Sequence, residues 1–262
     1  MQNNSIICGH NDHPVILRKT SLIDYPGLLS AVIFFPGCNL RCPWCHNREL
    51  VLGDTRAVYK DYSPQNSGKA KAGYISLGDA LACLEKRRKV LGGVVLSGGE
   101  PTLFSGLGEL IAAVKSIGLK IKLDTNGLLP DVLETLFKTE ETRPGYIAMD
   151  LKTSPERYRE LLPKNENELC AELENKVNLK IIDPGEGIKR SAALIRSSGI
   201  PHEFRSLNLP PPPNTAQASF FGEKERAALA QLAGDSPWHI RPFAPGNCLD
   251  PEWNQAELTF PR

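Results

Sequence analysis

The 262-residue sequence holds no apolar run long enough to cross a bilayer: the longest, Leu28 to Phe35, is eight residues, against the roughly 20 that a spanning helix needs. Its first residues, MQNNSIICGHNDHP, carry neither the basic start nor the apolar stretch of a secretion signal, so a cytoplasmic protein with no membrane partner is expected. Charge of either sign is scarcely in excess, the formal net value being +1, which argues against a nucleic-acid partner held by phosphate neutralisation. A cytoplasmic setting leaves little place for disulfides among the seven cysteines, so those that cluster point to metal. Cys8, Cys83, Cys170 and Cys248 lack ligand spacing and read as core or incidental, Cys83 lying on the apolar side of a helix with Ala80 and Leu84. There is no second cysteine-rich motif and no evident nucleophile–base pair. Length and a 41% apolar content fit one large α/β domain or two small ones.

What is present is concentrated in FFPGCNLRCPWCHN, where Cys38, Cys42 and Cys45 form a C-x3-C-x2-C run. Leu28 to Phe35 before it, rich in Val, Ile and Phe, reads as a buried strand that Pro36 and Gly37 stop. The cysteines therefore sit on a loop at the strand's C-terminal end. Three close thiolates without a fourth suit a cubane iron–sulfur cluster with one iron left open. A zinc site completed by His46 is an alternative, although His46 adjoins Cys45 and closing a tetrahedron with both is awkward. An electron-transfer centre, a reading from another functional class, asks for four thiolates.

Strand–helix units follow. Gly93 to Leu96 leads into Ser97-Gly98-Gly99-Glu100-Pro101, then a helix with Leu107, Leu110, Ile111, Val114 and Ile117 on one face. Leu119 to Leu123 leads into Asp124-Thr125-Asn126-Gly127, then a short helix through Phe137. Tyr146 to Met149 leads into Asp150-Leu151-Lys152. The step from Gly98 to Asp124 to Asp150 is 26 residues each time, the length of one unit in a parallel barrel or sheet. One Asp after a strand is commonly a helix cap; polar strand ends in phase with a cysteine loop form the rim where such folds bind ligands. Further on, Glu186 to Ser198 and Glu223 to Ala233 read as helices. Glu203-Phe204-Arg205 begins a fifth strand, Trp238 to Phe243 is a sixth, and Val177 to Ile182 an extra one without a place. Pro210 to Pro213 is extended. Asp54 to Gly73 is a polar insert, read as a solvated loop or a flap over the site.

Together, the cysteine loop, the GGEP turn, and the DTNG and DLK strand ends resemble the radical S-adenosylmethionine activases of glycyl-radical enzymes. SLIDYPG at Ser21 to Gly27, followed by CNLRCPWCHN, is most similar to the activating proteins of anaerobic ribonucleoside-triphosphate reductases. The resemblance covers Lys19 to Lys152, then more loosely Ile200 to Arg205 and RPFAPGNCLDP. It implies an α/β fold, a partial (β/α)6 TIM-like barrel of parallel strands with a cluster-binding loop after the first, in one domain over 1–262 with its core about 19–245. Cys38, Cys42 and Cys45 would ligate a [4Fe–4S] cluster, with the amine and carboxylate of S-adenosyl-L-methionine on the open iron. Gly98, Gly99 and Glu100 would receive the methionyl amine, glycine letting backbone approach the ligand. Trp44 would lie beside the adenine, and Asp124, Thr125, Asn126, Asp150 and Lys152 would line the rest. Arg205 would face the cofactor carboxylate, although an outward Arg after a strand is as common. The implied partners are a glycyl-radical enzyme (the large subunit of anaerobic ribonucleotide reductase) and a flavodoxin- or ferredoxin-like electron donor. The alternatives are a pyruvate formate-lyase-like target and a small molecule such as a deazaguanine precursor.

Overall fold

A computed structural model describes residues 9–52, 73–164 and 183–255. The polar insert, apart from Gly73, and the unplaced strand at 177–182 lie outside the described residues, as do Cys8 and Cys170.

One eight-stranded sheet organises the chain, in the order β3-β1-β2-β4-β5-β6-β7-β8. Six of its strands run parallel: β2 (Ser30–Phe35), β4 (Gly93–Gly98), β5 (Lys120–Thr125), β6 (Tyr146–Asp150), β7 (His202–Asn208) and β8 (Trp238–Pro242). These are the six expected ones. Among the described residues β8 and β3 do not pair, so the barrel is partial and open on one side.

Two strands were not foreseen. β1 (Pro14–Ser21) and β3 (Tyr74–Ser76) add an antiparallel flap beside β2. The strand expected to be first is therefore second, and it starts at Ser30 because Leu28 and Leu29 still belong to the turn after β1. In β1, PVILRKTS, three successive residues are exposed, so it lacks the apolar signature of a central strand.

Helices α2 (Leu77–Arg87), α3 (Leu107–Ser116), α4 (Pro130–Phe137) and α5 (Pro184–Ser197) cover one face of the sheet, and α6 (Glu223–Ala233) follows β7. Ser76 caps α2 by accepting the Asp79 N–H at 2.9 Å, and Asp183 caps α5 through Gly185 and Glu186. Side chains alternate along each strand. Ala31, Ile33, Phe35, Val94, Leu96, Ile121, Leu123, Ile147 and Met149 meet the helices in one core, while Val32, Val95 and Tyr25 form a second small cluster with Leu28, Phe34 and Tyr146. That second cluster is the floor of the concave face. Above it the strands end in polar residues, and there the cysteine loop begins. No helix among the described residues is long and apolar enough to cross a membrane.

Candidate active site

The cysteine loop leaves β2 at Pro36 and is tied down by four separate parts of the chain. Gly37 N–H donates to Leu50 O of the short helix α1 (Arg48–Leu52) at 2.9 Å, and Arg41 N–H to Leu161 O at 2.7 Å. Glu100 N–H returns to Gly37 O at 2.8 Å, while Leu249 and Asp250 N–H donate to Cys45 O and Pro43 O at 2.8 and 2.9 Å. Cys38 and Cys42 are buried, and burial pushes the Cys42 thiol up to about 12 and the Cys38 thiol higher. Thiols so placed become thiolates only against a strong positive charge, which is what a soft iron centre provides. Among the described residues no three His, Cys, Asp or Glu side chains converge as a single metal ion requires. A cubane puts each thiolate on a different iron and needs no such convergence, whereas zinc with His46 does. The His46 ring instead lies 5.9 Å from that of Phe243.

A cavity of about 290 Å³ opens over the loop. Its lining includes every residue expected from the sequence, from Cys38, Cys42, Trp44 and Cys45 through the strand ends to Arg205. Their contacts within the chain differ from one to the next.

The glycines of the GGEP turn are required first by the chain itself. A Cβ on Gly99 would lie 1.7 Å from Gly37 O, and one on Gly98, whose φ is +117°, 2.4 Å from Phe35 N. The turn is thus pressed against the backbone that leads into the cysteine loop. The Glu100 carboxylate, 1% exposed, is also occupied internally. It accepts from Thr102 N–H and Oγ1 (3.1 and 2.6 Å), Thr125 Oγ1 (2.8 Å) and Asn126 N–H (2.7 Å). Burial raises its pKa and these bonds oppose the rise. Glu100 therefore staples the GGEP turn to the DTNG strand end. Trp44 borders the cavity, but its ring packs on Phe220 at 4.8 Å and Trp253 at 5.4 Å.

The remaining charges form an alternating chain. Lys122 Nζ is 2.5 Å from Asp124 Oδ1; Ser97 Oγ donates to Asp124 Oδ2 at 3.1 Å; Arg205 Nη1 approaches that oxygen at 3.6 Å. Arg205 Nε and Lys152 Nζ then hold the two oxygens of Asp150 at 2.8 Å each. Burial works against the Asp150 carboxylate, but Arg205 and Lys152 outweigh it and hold it well below the usual range. Arg205 thus faces into the site, not outward.

Sequence reasoning missed Asn39, Ser97 and Lys122, although Lys122 stands two residues before Asp124 and so on the same strand face. Cys248, read as incidental, lies beside the cluster loop through the Leu249–Cys45 bond, and burial, with the Cys45 thiol nearby, raises it.

A partial parallel barrel with three thiols at its mouth defines a class. The radical SAM superfamily model matches residues 32–210, and the chain belongs to that superfamily. Its members use a [4Fe–4S] cluster and S-adenosyl-L-methionine, which are the cofactors of this protein. The chain is 35% identical over 169 residues to a candidate glycyl-radical enzyme activating enzyme of Methanocaldococcus jannaschii, covering 62% of this chain and 58% of the relative. It is 31% identical over 127 residues to the 7-carboxy-7-deazaguanine synthase of Methanopyrus kandleri (47% and 50%). It is 30% identical over 149 residues to the pyruvate formate-lyase-activating enzyme of Listeria monocytogenes (55% and 54%). The chain thus spans about half the length of each. Among solved structures it is similar to Escherichia coli QueE (TM-score 0.48, 14% identity, 88% and 84% covered) and to anSMEcpe with bound AdoMet (0.49, 16%, 82% and 51%).

Proposed function

We propose that this radical SAM enzyme activates a glycyl-radical enzyme, and that its target is an anaerobic ribonucleoside-triphosphate reductase. In this reading Cys38, Cys42 and Cys45 hold the cluster, and Trp44, Gly98, Gly99, Glu100, Asp124, Thr125, Asn126, Asp150, Lys152 and Arg205 surround the cofactor. When bound, the cluster and cofactor supply one-electron cleavage of a sulfur–carbon bond and the removal of a hydrogen atom from a glycine Cα. The chain's own residues bind and orient. The Asp124 and Asp150 carboxylates are both paired with cations, and Glu100 accepts four hydrogen bonds from its own chain; the proposed chemistry asks for no proton acceptor.

The observation that carries the reading is the floor of the concave face. Tyr25, Val32, Phe34, Val95 and Tyr146 fill it with apolar and aromatic bulk, which leaves the mouth and the open side between β8 and β3 as the way in. A loop of another protein fits such an entry. Similarity to the Methanocaldococcus relative, together with SLIDYPG, supports the glycyl-radical partner; a flavodoxin- or ferredoxin-like protein would supply the electron. The Listeria and Methanopyrus relatives keep a lyase target and a deazaguanine precursor as the second readings.

The test is anaerobic. The cluster is reconstituted and reduced, S-adenosylmethionine is added, and electron spin resonance is recorded with and without the host's anaerobic ribonucleotide reductase. A glycyl doublet on the reductase, absent with Cys42→Ala, is the expected result. Formation of 5′-deoxyadenosine without a protein radical would leave the superfamily chemistry standing and exclude this target.

A further inference from the structure

Asn39 lies between Cys38 and Leu40 in the cluster loop, 1% exposed, and its Nδ2 has no hydrogen-bond partner among the described residues. A buried amide left unpaired costs its full desolvation, so its surroundings decide what it is for. Its orientation is fixed by a chain of commitments. Leu128 N–H donates to Asn126 Oδ1 at 2.9 Å, which makes the other end of Asn126 the donor. Asn126 Nδ2 donates to Asn39 Oδ1 at 2.7 Å. The oxygen of Asn39 is thereby used, and Nδ2 is the end left over.

The acceptors nearby narrow the choice. The Glu100 carboxylate receives three hydrogen bonds on Oε1 and one, from Asn126 N–H, on Oε2, and neither oxygen is a partner of Asn39 Nδ2. The asparagine pair lies beside sulfur: Asn126 Nδ2 is 3.9 Å from Cys38 Sγ, and Leu40 N–H, next to Asn39 in the chain, donates to that sulfur at 3.4 Å.

We propose that Asn39 Nδ2 donates a hydrogen bond to sulfur of the cluster held by Cys38, Cys42 and Cys45, and that this bond raises the cluster's reduction potential. Reduction places added negative charge on the sulfurs, so a donor there stabilises the reduced form more than the oxidised one. Burial strengthens the effect, because no water can substitute for the amide. The inference rests on the cofactor of the superfamily and not on which protein is activated.

Redox titrations of reconstituted Asn39→Leu and Asn39→Ser, followed by electron spin resonance of the reduced cluster, test it. Iron and sulfide content and the thermal midpoint are measured on the same samples. The expected result is a more negative midpoint potential in both variants at full cluster content. A fully loaded variant with the wild-type potential overturns the proposal. So does a loss of thermal stability or cluster content with the potential unmoved, which assigns Asn39 to the folding of the loop alone. Should the leucine variant fail to load, the smaller serine variant, which cannot reach the same acceptor, decides the matter.

Discussion

Asp150 is held between two cations, and that arrangement has a pH signature. Arg205 and Lys152 keep its folded-state pKa well below the usual value, so the ionised form is favoured in the folded chain. The resulting stability is present above the ordinary aspartate pKa of about 4 and is lost as pH falls from there toward the lower folded value. Urea unfolding of the cluster-free protein between neutral and acid pH should show this loss, and Asp150→Asn should flatten it. At neutral pH the same variant leaves two cations facing each other. We expect a cost of about 2–3 kcal/mol, below the roughly 3–5 kcal/mol for one partner of a fully buried pair, because the Asp150 and Lys152 side chains are still 29% and 24% exposed. An acid limb as steep in Asp150→Asn as in wild type would count against the assignment. Gly99 is constrained more simply. With Gly37 O 1.7 Å from any Cβ, Gly99→Ala must push the GGEP turn away from the cluster loop. Overpacking costs about 1–3 kcal/mol, and the displaced loop should take up less iron on reconstitution; thermal melting and iron content read the two effects separately.

At the level of elements, the last described segment acts as a strap across the cluster loop. Leu249 and Asp250 pair with Cys45 and Pro43, and Trp253, 2% exposed, packs on Trp44 at 5.4 Å and Phe243 at 5.7 Å. Trp253→Ala should cost about 3–5 kcal/mol. It should also loosen Cys45 more than Cys38, visible as faster alkylation of Cys45 in the cluster-free protein; equal alkylation rates would mean that the strap is not what holds the loop. β2, β4, β5 and β6 were legible because each holds a short apolar or alternating run stopped by Gly, Pro or Asp, and the 26-residue step put Gly98, Asp124 and Asp150 at strand ends; β7 (HEFRSLN) and β8 (WHIRP) are more polar and carry a weaker signal. β1 was not legible, since its exposed stretch, Arg18 to Thr20, breaks the apolar pattern. The strap was visible only as RPFAPGNCLDP, a stretch without periodicity. Nothing in its spacing announces that Cys248 returns to Cys45. Among single residues, the cysteines could be read from spacing, but the inward commitment of Glu100 could not, because it depends on Thr102, Thr125 and Asn126 arriving from two turns.

For the whole molecule, the site is the place where chain segments far apart in sequence are joined. α1, the Pro155–Leu161 turn, the GGEP turn and the strap all hydrogen-bond to the loop between Gly37 and Cys45, and the five alternating charges from Lys122 to Lys152 link three neighbouring strands. The helices on the far face of the sheet take no part. Ligands that bind only the folded form stabilise it by mass action, about 4 kcal/mol at a thousandfold excess over the dissociation constant, and for a cluster the gain is spent where its ligands are anchored. Cluster reconstitution should therefore raise the thermal midpoint and slow amide exchange unevenly. Protection should rise at residues 36–50, at the ends of β4, β5 and β6, and at residues 243–255. α2 and α6, which touch the loop nowhere in this network, should exchange as before, and chelation of the iron should reverse the pattern. Uniform protection across the helices would mean that the cluster stabilises the fold globally, with no local anchoring by the loop. No change at residues 243–255 would detach the strap from the site, and with it the reason that Trp253 and Cys248 lie where they do.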